Sequence, residues 1–449
     1  MSMAVSSISR WGIWKYKPFY SAELLFKRFI NLQKTLFDGI FFTIFCQGVF
    51  FWAEFYCFQR LDAAFFIFML WSNSAVGKPV EAKKVKVMKD FNIEELDQYM
   101  QRRKIRQENL CWYDPAEGYF EVNGLYWFAQ DKRYHRFPQG VDYSFKPALE
   151  SLAACDAGAQ IRFRSNSRRI VVSAKVASGA VSPTMAECGR SGFDLYVGEP
   201  GSEVFWNSAL PFPGQKEYVD EIFNVEEQKM RDFRLNFPLY NSVQALLIAL
   251  EEGAEILPPA PLKVKKPIVI YGTSITQGGC ASRPGTAFTN RLSRNLQAEF
   301  LNFGFSGNGQ NDLPVAELLA SIKDPAMFII DSEANSISGK LINERVPEFL
   351  NILRKKHPTV PIVIVTKVTY GPRYALEIPV LKEYFYDIYQ ARRAAGDEHI
   401  YFVDGSDFYS PENYSENSVD GAHPTDQGFA LIAEKLEPVL RDLIKKYNL

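Results

Sequence analysis

Ser274 stands where an apolar, β-branched run meets glycines, in Val269-Ile270-Tyr271-Gly272-Thr273-Ser274-Ile275-Thr276-Gln277-Gly278-Gly279. Residues 267–271 read as a short buried strand, and a helical pattern starts at Thr286. The carboxyl end of a buried strand is where open α/β sheets place ligands. A serine there can act as a nucleophile if a base lies within hydrogen-bond reach and a third group orients that base. The chain has four histidines. His135 lies in a basic stretch and reads as a surface residue, and His357 ends a helix, where it suits the helix dipole. His399 starts a strand, at the wrong edge for strand-end chemistry. His423 sits in Asp420-Gly421-Ala422-His423-Pro424, after a loop and just before the last helical pattern. Asp420 precedes it by one tight turn, so its carboxylate can face the imidazole. An Asp and a Thr before a helix are also the residues that cap one.

Acyl chemistry on such a serine also needs donors for an oxyanion. Asn302-Phe303-Gly304-Phe305-Ser306-Gly307-Asn308-Gly309 follows the second strand of this half, and its glycines let backbone N–H groups approach a small ligand. Asp331-Ser332-Glu333-Ala334-Asn335-Ser336 follows the third strand and offers the Asn335 amide. Each stretch by itself is also ordinary turn chemistry. Four such turns at strand carboxyl ends, converging on one rim, are harder to read as turns alone. Other motifs are excluded. No lysine follows Gly272 at Walker spacing, the glycines at 304, 307 and 309 do not match the dinucleotide fingerprint, and no Gly-x-Ser-x-Gly elbow surrounds Ser274.

The 449 residues leave room for two or three domains, and 47% hydrophobic with 23% charged residues describe a globular protein. A net charge of -1 gives no basic footprint for nucleic acid. The six cysteines, Cys46, Cys57, Cys111, Cys155, Cys188 and Cys280, form no Cys-x-x-Cys pair, which argues against a zinc cluster and leaves disulfides open. No metal or cofactor is expected. Residues 1–80 read differently from the rest. Apolar runs at 39–53 and 63–71, followed by the small residues 72–77, have the pattern of a secretory signal behind an overlong start, of a membrane anchor, or of a poorly packed extension. Export or anchoring is the favoured reading, which places the protein outside the cytoplasm, secreted, periplasmic or membrane-anchored.

Residues 81–110 read as a charged linker. Residues 111–260 read as an antiparallel β-sandwich, with strands at 119–122 and 125–128 around an Asn123-Gly124 hairpin turn, and further strands at 161–164, 169–176, 193–197 and 233–237. The proline-rich stretch 258–266 reads as a stiff link. The sandwich is expected to wall the active-site cleft, with Trp112, Trp127 and Tyr196 as candidate surface. From residue 261 strands at 267–271, 299–303, 327–331, 361–367 and 399–403 alternate with helices at 286–298, 313–322, 340–356, 376–394 and 425–446. That alternation predicts a three-layer, flavodoxin-like α/β domain with a five-stranded parallel sheet.

The blocks around Ser274, Gly307, Asn335 and His423 resemble, in order, those of the SGNH (GDSL-like) hydrolases, over roughly residues 265–449. Gly192-Phe193-Asp194-Leu195-Tyr196 resembles the Gly-x-Asp-Leu-Tyr motif of a jelly-roll-like β-sandwich that precedes this hydrolase domain in a bacterial subfamily. Thr273 stands where the family usually has Asp, and Ser336 follows Asn335 where Asp often does. The resemblance implies a serine esterase with a Ser274, His423 and Asp420 triad. It implies an oxyanion hole from the N–H groups of Ser274 and Gly307 and the Asn335 amide. It also implies a small-molecule or carbohydrate ester as substrate, with removal of a short acyl group from a sugar as the favoured reaction. An acyltransferase using the same triad, and a carbohydrate-binding protein with an inactive hydrolase fold, are the alternatives. Oligomeric state is not readable.

Overall fold

The computed structural model describes residues 108–449 apart from 142, 178–181 and 213, together with 97, 105 and 106. The expectations for residues 1–80, and for nearly all of the 81–110 linker, lie outside the described residues. Among the described residues no helix is long and apolar enough to cross a membrane.

The first part is antiparallel. Its strands are β1 (Leu110–Tyr113), β2 (Glu121–Asn123), β3 (Gln160–Ser165), β4 (Arg169–Val176), β5 (Phe193–Val197), β6 (Val204–Ala209), β7 (Glu217–Asn224), β8 (Arg231–Asn236), β9 (Val243–Glu251) and β10 (Ile256–Leu257). Short helices α1 (Phe128–Asp131), α2 (Pro147–Ala153) and α3 (Glu187–Ser191) lie between them. One sheet has the order β1-β9-β4-β7, and the other β10-β3-β8-β5-β6 with β2 added on β3. Ile161, Phe163, Val172, Phe193, Leu195, Phe233, Leu235 and Ile248 form the core of this part.

The second part is a parallel sheet of β11 (Ile268–Gly272), β12 (Phe300–Gly304), β13 (Met327–Asp331), β14 (Ile362–Val365) and β15 (Ile400–Val403), in the order β12-β11-β13-β14-β15. Its main helices are α4 (Ser274–Gln277), α5 (Phe288–Leu296), α6 (Leu313–Ala320), α7 (Gly339–Lys356), α8 (Pro372–Glu377), α9 (Lys382–Ala394), α10 (Tyr414–Asn417) and α11 (Asp426–Tyr447). Strand residues alternate between two cores, because successive side chains of a strand point to opposite faces. Ile268, Ile270, Met327 and Ile329 pack with Phe288 and Leu292 of α5 and Phe429 and Leu436 of α11. Val269, Tyr271, Phe328 and Ile330 pack with Val315, Phe349 and Phe385 of α6, α7 and α9. This is the three-layer arrangement that the alternation predicts.

Two details differ from the sequence reading. Residues 125–128 are not the second strand of a hairpin. Gly124 has φ +82, and its N–H donates to Glu299 Oε1 at 2.7 Å, so the turn docks on the second domain. Leu125 and Phe128, one helical turn apart, are then both buried, and β2 pairs with β3 instead. The helix expected at 376–394 is split into α8 and α9 around Pro379, consistent with the poor fit of proline inside a helix. The link after β10 packs against both parts. Ala260 N–H donates to Asp232 Oδ1 at 2.8 Å, and Val264, which is buried, donates to Gln297 O at 3.1 Å.

The six-stranded sheet explains why the parts dock. Phe193 and Leu195 face the core of the sandwich, while Asp194 and Tyr196 alternate with them and face the α/β part. There the Asp194 carboxylate, 0% exposed, accepts from Arg283 Nη1 and Gly285 N, each at 2.8 Å, and from Asn236 Nδ2 at 2.7 Å. Arg283 also donates to the Tyr196 hydroxyl at 2.6 Å, and the Arg294 guanidinium lies over the Tyr196 ring at 3.9 Å. Tyr196 is thus buried in the interface and does not line the cleft. Trp127 stacks edge-on against Phe303 of β12, and Trp112 belongs to β1 of the other sheet. Truncating one partner of a buried ion pair leaves the other uncompensated. Asp194→Ala should therefore lower unfolding free energy by about 3 kcal/mol or more, with Asp194→Asn milder. Denaturant titration measures this, and a loss under about 0.5 kcal/mol would discount the clamp.

Candidate active site

Ser274 enters at the first position of α4, directly after β11 and Thr273. Thr273 caps that single turn. Its Oγ1 accepts from Ile275 N at 3.3 Å, and Thr276 Oγ1 accepts from Thr273 N at 3.0 Å. The residue that departs from the family's usual Asp thus has a local job, which threonine performs as an N-cap. A Cβ on Gly272 would fall 2.0 Å from Thr276 Oγ1, so the turn needs glycine there. At its first helical position the Ser274 N–H has no partner in the helical ladder.

Ser274 Oγ lies 2.9 Å from His423 Nε2, and His423 Nδ1 lies 2.8 Å from Asp420 Oδ2. The other Asp420 oxygen accepts from His423 N at 2.8 Å and Ala422 N at 3.0 Å. Burial pushes the Asp420 carboxyl up, but the hydrogen bonds and charge of His423 outweigh it and hold the group below its ordinary value. Gly421, at φ +95, makes the turn that folds Asp420 back on the ring. Val419 N–H closes the loop on His423 O at 2.8 Å.

The oxyanion candidates lie on two neighbouring loops. After β12, Gly307 is exposed and adopts φ +68. Gly309 N–H donates to Asn335 Oδ1 at 3.2 Å, which fixes the amide so that Nδ2 is the free end. Among the described residues, neither Gly307 N–H nor Asn335 Nδ2 finds a protein acceptor. Asn335 ends a single turn (Glu333–Asn335) whose Glu333 is buried and paired with Lys367 at 3.0 Å.

The other histidines take no part. His135 is half-buried, not at the surface, and bonds the Phe137 backbone, with burial pushing it down to about 4. His357 bonds Ala320 O, and His399 bonds Tyr447. Cys280, Asp420 and His423 bring possible ligand atoms within 4.8 Å of one another, but Asp420 and His423 already bond each other. Among the described residues no other such group of possible metal ligands forms.

Comparison with known proteins places the chain in a family. Residues 265–441 match the GDSL-like Lipase/Acylhydrolase family, and residues 110–256 match the N-terminus of Esterase_SGNH_hydro-type. A solved structure from Bacteroides ovatus ATCC 8483, designated a GDSL-like lipase, is 30% identical, with 75% of this chain and 98% of that chain covered and a TM-score of 0.68. The chain belongs to the GDSL-like lipase/acylhydrolase family. It is an esterase of the SGNH type, with the Gly-x-Asp-Leu-Tyr sandwich before the hydrolase domain. The salicylyl-acyltransferase SsfX3 from a tetracycline biosynthetic pathway shares the fold at 18% identity, with 75% of this chain and 98% of that chain covered and a TM-score of 0.61. A family two carbohydrate esterase from Cellvibrio japonicus is more distant, at 15% identity over the same shares and a TM-score of 0.47. No curated protein sequence matches the chain.

Sequence reasoning missed Asp331, whose block it read for Asn335 alone. Thr276 Oγ1 donates to Asp331 Oδ2 at 2.7 Å, so a buried carboxyl supports the nucleophile's turn from below. Burial pushes this carboxyl up to about 7, with the Glu333 charge adding and the Thr276 hydrogen bond opposing. A raised folded value means the native state holds the proton more tightly than the unfolded chain. Its stabilisation is therefore complete below the ordinary carboxyl value of about 4 and is lost as pH rises towards 7. Stability of the wild type relative to Asp331→Asn should fall across that window, by at most about 4 kcal/mol. Denaturation at pH 4.5 and 7.5 tests this, and a pH-independent difference would contradict it.

Proposed function

We propose that Ser274, His423 and Asp420 form a catalytic triad that cleaves carboxylic esters through an acyl-enzyme, and that the acyl group is short and carried by a sugar. The observation that carries the triad is the unbroken chain from Ser274 Oγ through both ring nitrogens of His423 to Asp420. His423 Nε2 takes the Ser274 proton as Oγ attacks the ester carbonyl. Asp420 holds the ring and stabilises its charged form. The developing oxyanion accepts from the N–H groups of Ser274 and Gly307 and from Asn335 Nδ2. The intermediate collapses, His423 returns its proton to the leaving alcohol, and water, deprotonated by the same ring, releases the acid.

The choice of an acylated sugar rests on the family resemblance, which includes carbohydrate deacetylases. Export or anchoring through residues 1–80 belongs to the same reading, supported by the apolar runs 39–53 and 63–71. Esters of graded acyl length on an activated leaving group and on a sugar test it. Turnover should be highest for acetyl and absent in Ser274→Ala. Asn335→Ala should keep a folded protein and lose about a hundred- to a thousandfold in kcat. Normal turnover in Ser274→Ala would reject the triad. A preference for long acyl chains would reject the short acyl group. Acyl transfer to an added sugar in preference to water would make the enzyme a transferase on the same intermediate.

A further inference from the structure

We infer that the β-sandwich sets the geometry of the oxyanion hole, and that Tyr240, Gln277 and Arg136 are positioning residues for the proposed reaction. The inference rests on the triad reading given above. Two of the three oxyanion donors are backbone N–H groups, of Ser274 after β11 and of Gly307 after β12. Their relative position is fixed only if the nucleophile turn and the Ser306-Gly307 loop are held against each other.

Three anchors do this, and each runs to the sandwich. The Tyr240 hydroxyl, on a ring 2% exposed, donates to Ser274 O at 3.2 Å. One buried phenol of the sandwich thus holds the nucleophile's own carbonyl. Gln277, 0% exposed, donates from Nε2 to Leu239 O and accepts from Ser306 N at Oε1, each at 3.1 Å. It bridges the sandwich backbone to the same loop. Arg136, 1% exposed, donates from Nη1 to Asn302 O at 3.0 Å and Gly304 O at 2.7 Å, and lies over the Phe305 ring at 4.7 Å. It therefore grips the end of β12 on which the loop is mounted.

The packing leaves little slack. A Cβ on Gly278 would fall 2.8 Å from a Leu239 methyl, and one on Gly279 2.9 Å from the Tyr240 hydroxyl. Leu239 and Tyr240 are in turn fixed to α3, through Leu239 N to Gly189 O at 3.0 Å and Tyr240 N to Arg190 O at 3.2 Å. Buried polar atoms cannot trade these bonds for water, so the arrangement is rigid. Oxyanion stabilisation depends on donors placed in advance, and misplacement by about 1 Å costs of order a hundredfold. The sandwich acts here as part of the catalytic scaffold, in addition to any contact it makes with substrate.

Tyr240→Phe in the full-length enzyme is the test, because it keeps the ring and deletes only the hydroxyl. On p-nitrophenyl acetate kcat should fall about tenfold with KM unchanged, since the affected interaction forms only in the transition state. The rate at which a fluorophosphonate labels Ser274 should fall in parallel, while the melting temperature moves by a few degrees at most. An unchanged kcat and labelling rate in a folded Tyr240→Phe protein, or a change confined to KM, would overturn the inference. Wild-type turnover unaffected by Ser274→Ala would instead overturn the triad reading, so the two failures are distinguishable.

Discussion

The structure turns on a polar face that water cannot reach. Gln160, Asp194, Arg234 and Asn236 all point out of the six-stranded sheet, and each is at most 3% exposed. A sheet face of this kind is stable only when its groups find partners, because an unpaired buried polar group costs roughly 1–3 kcal/mol. The α/β part supplies several of them. Asn290 and Ser293 of α5 meet Gln160 and Arg234, and Arg283 and the Gly285 backbone meet Asp194. Arg234 is also paired with Glu203 at 2.6 Å, within the sandwich. Either part alone would expose this network, which is why the two are better regarded as one folding and functional body than as tethered modules.

The partners of that face sit just beyond the nucleophile. Arg283 and Gly285 lie in the segment that carries the chain from α4 to α5, so the clamp on Asp194 also fixes the exit from the nucleophile's turn. On the far side, Asp426 at the start of α11 bonds Ser282 N at 2.9 Å and Thr286 Oγ1 at 2.7 Å. The same helix is entered three residues after His423. The segment 282–286 is thus held between the sandwich and the helix that follows the base. Positions of nucleophile and base are coupled through it.

Much of this was readable from residue types. Four of the five parallel strands, β11 to β14, are fully buried and largely apolar, which is a strong local signal. The Ser274, Asp420 and His423 neighbourhood followed from strand-end logic and from the unsuitability of the other three histidines. The sandwich was less legible. β9, Val243-Gln-Ala-Leu-Leu-Ile-Ala-Leu-Glu251, is built largely of good helix formers, yet it is paired on both sides by β1 and β4. Tertiary pairing overrides its local preference. β6 carries four exposed residues, Val204, Phe205, Trp206 and Asn207, and so lacks the apolar alternation that marks a half-buried strand. The Asn123-Gly124 turn carried the local signal of a hairpin, but its glycine meets the Gly158 backbone at φ +82, and its N–H bonds Glu299, far along the chain.

Tyr240 and Gln277 were illegible for a related reason. Each looks ordinary in its own segment: Tyr240 follows a Pro-Leu turn, and Gln277 precedes two glycines at the end of a one-turn helix. Their significance lies in a pair of contacts between segments 34 and 38 residues apart. Periodicity reports which face of an element is buried, and motif spacing reports which residues a short turn can gather. Neither reports which buried polar atom will satisfy another across a domain boundary. The residues that bear the chemistry are therefore visible in the chain, whereas those that hold them in register emerge only when the hydrogen bonds of the buried interface are counted.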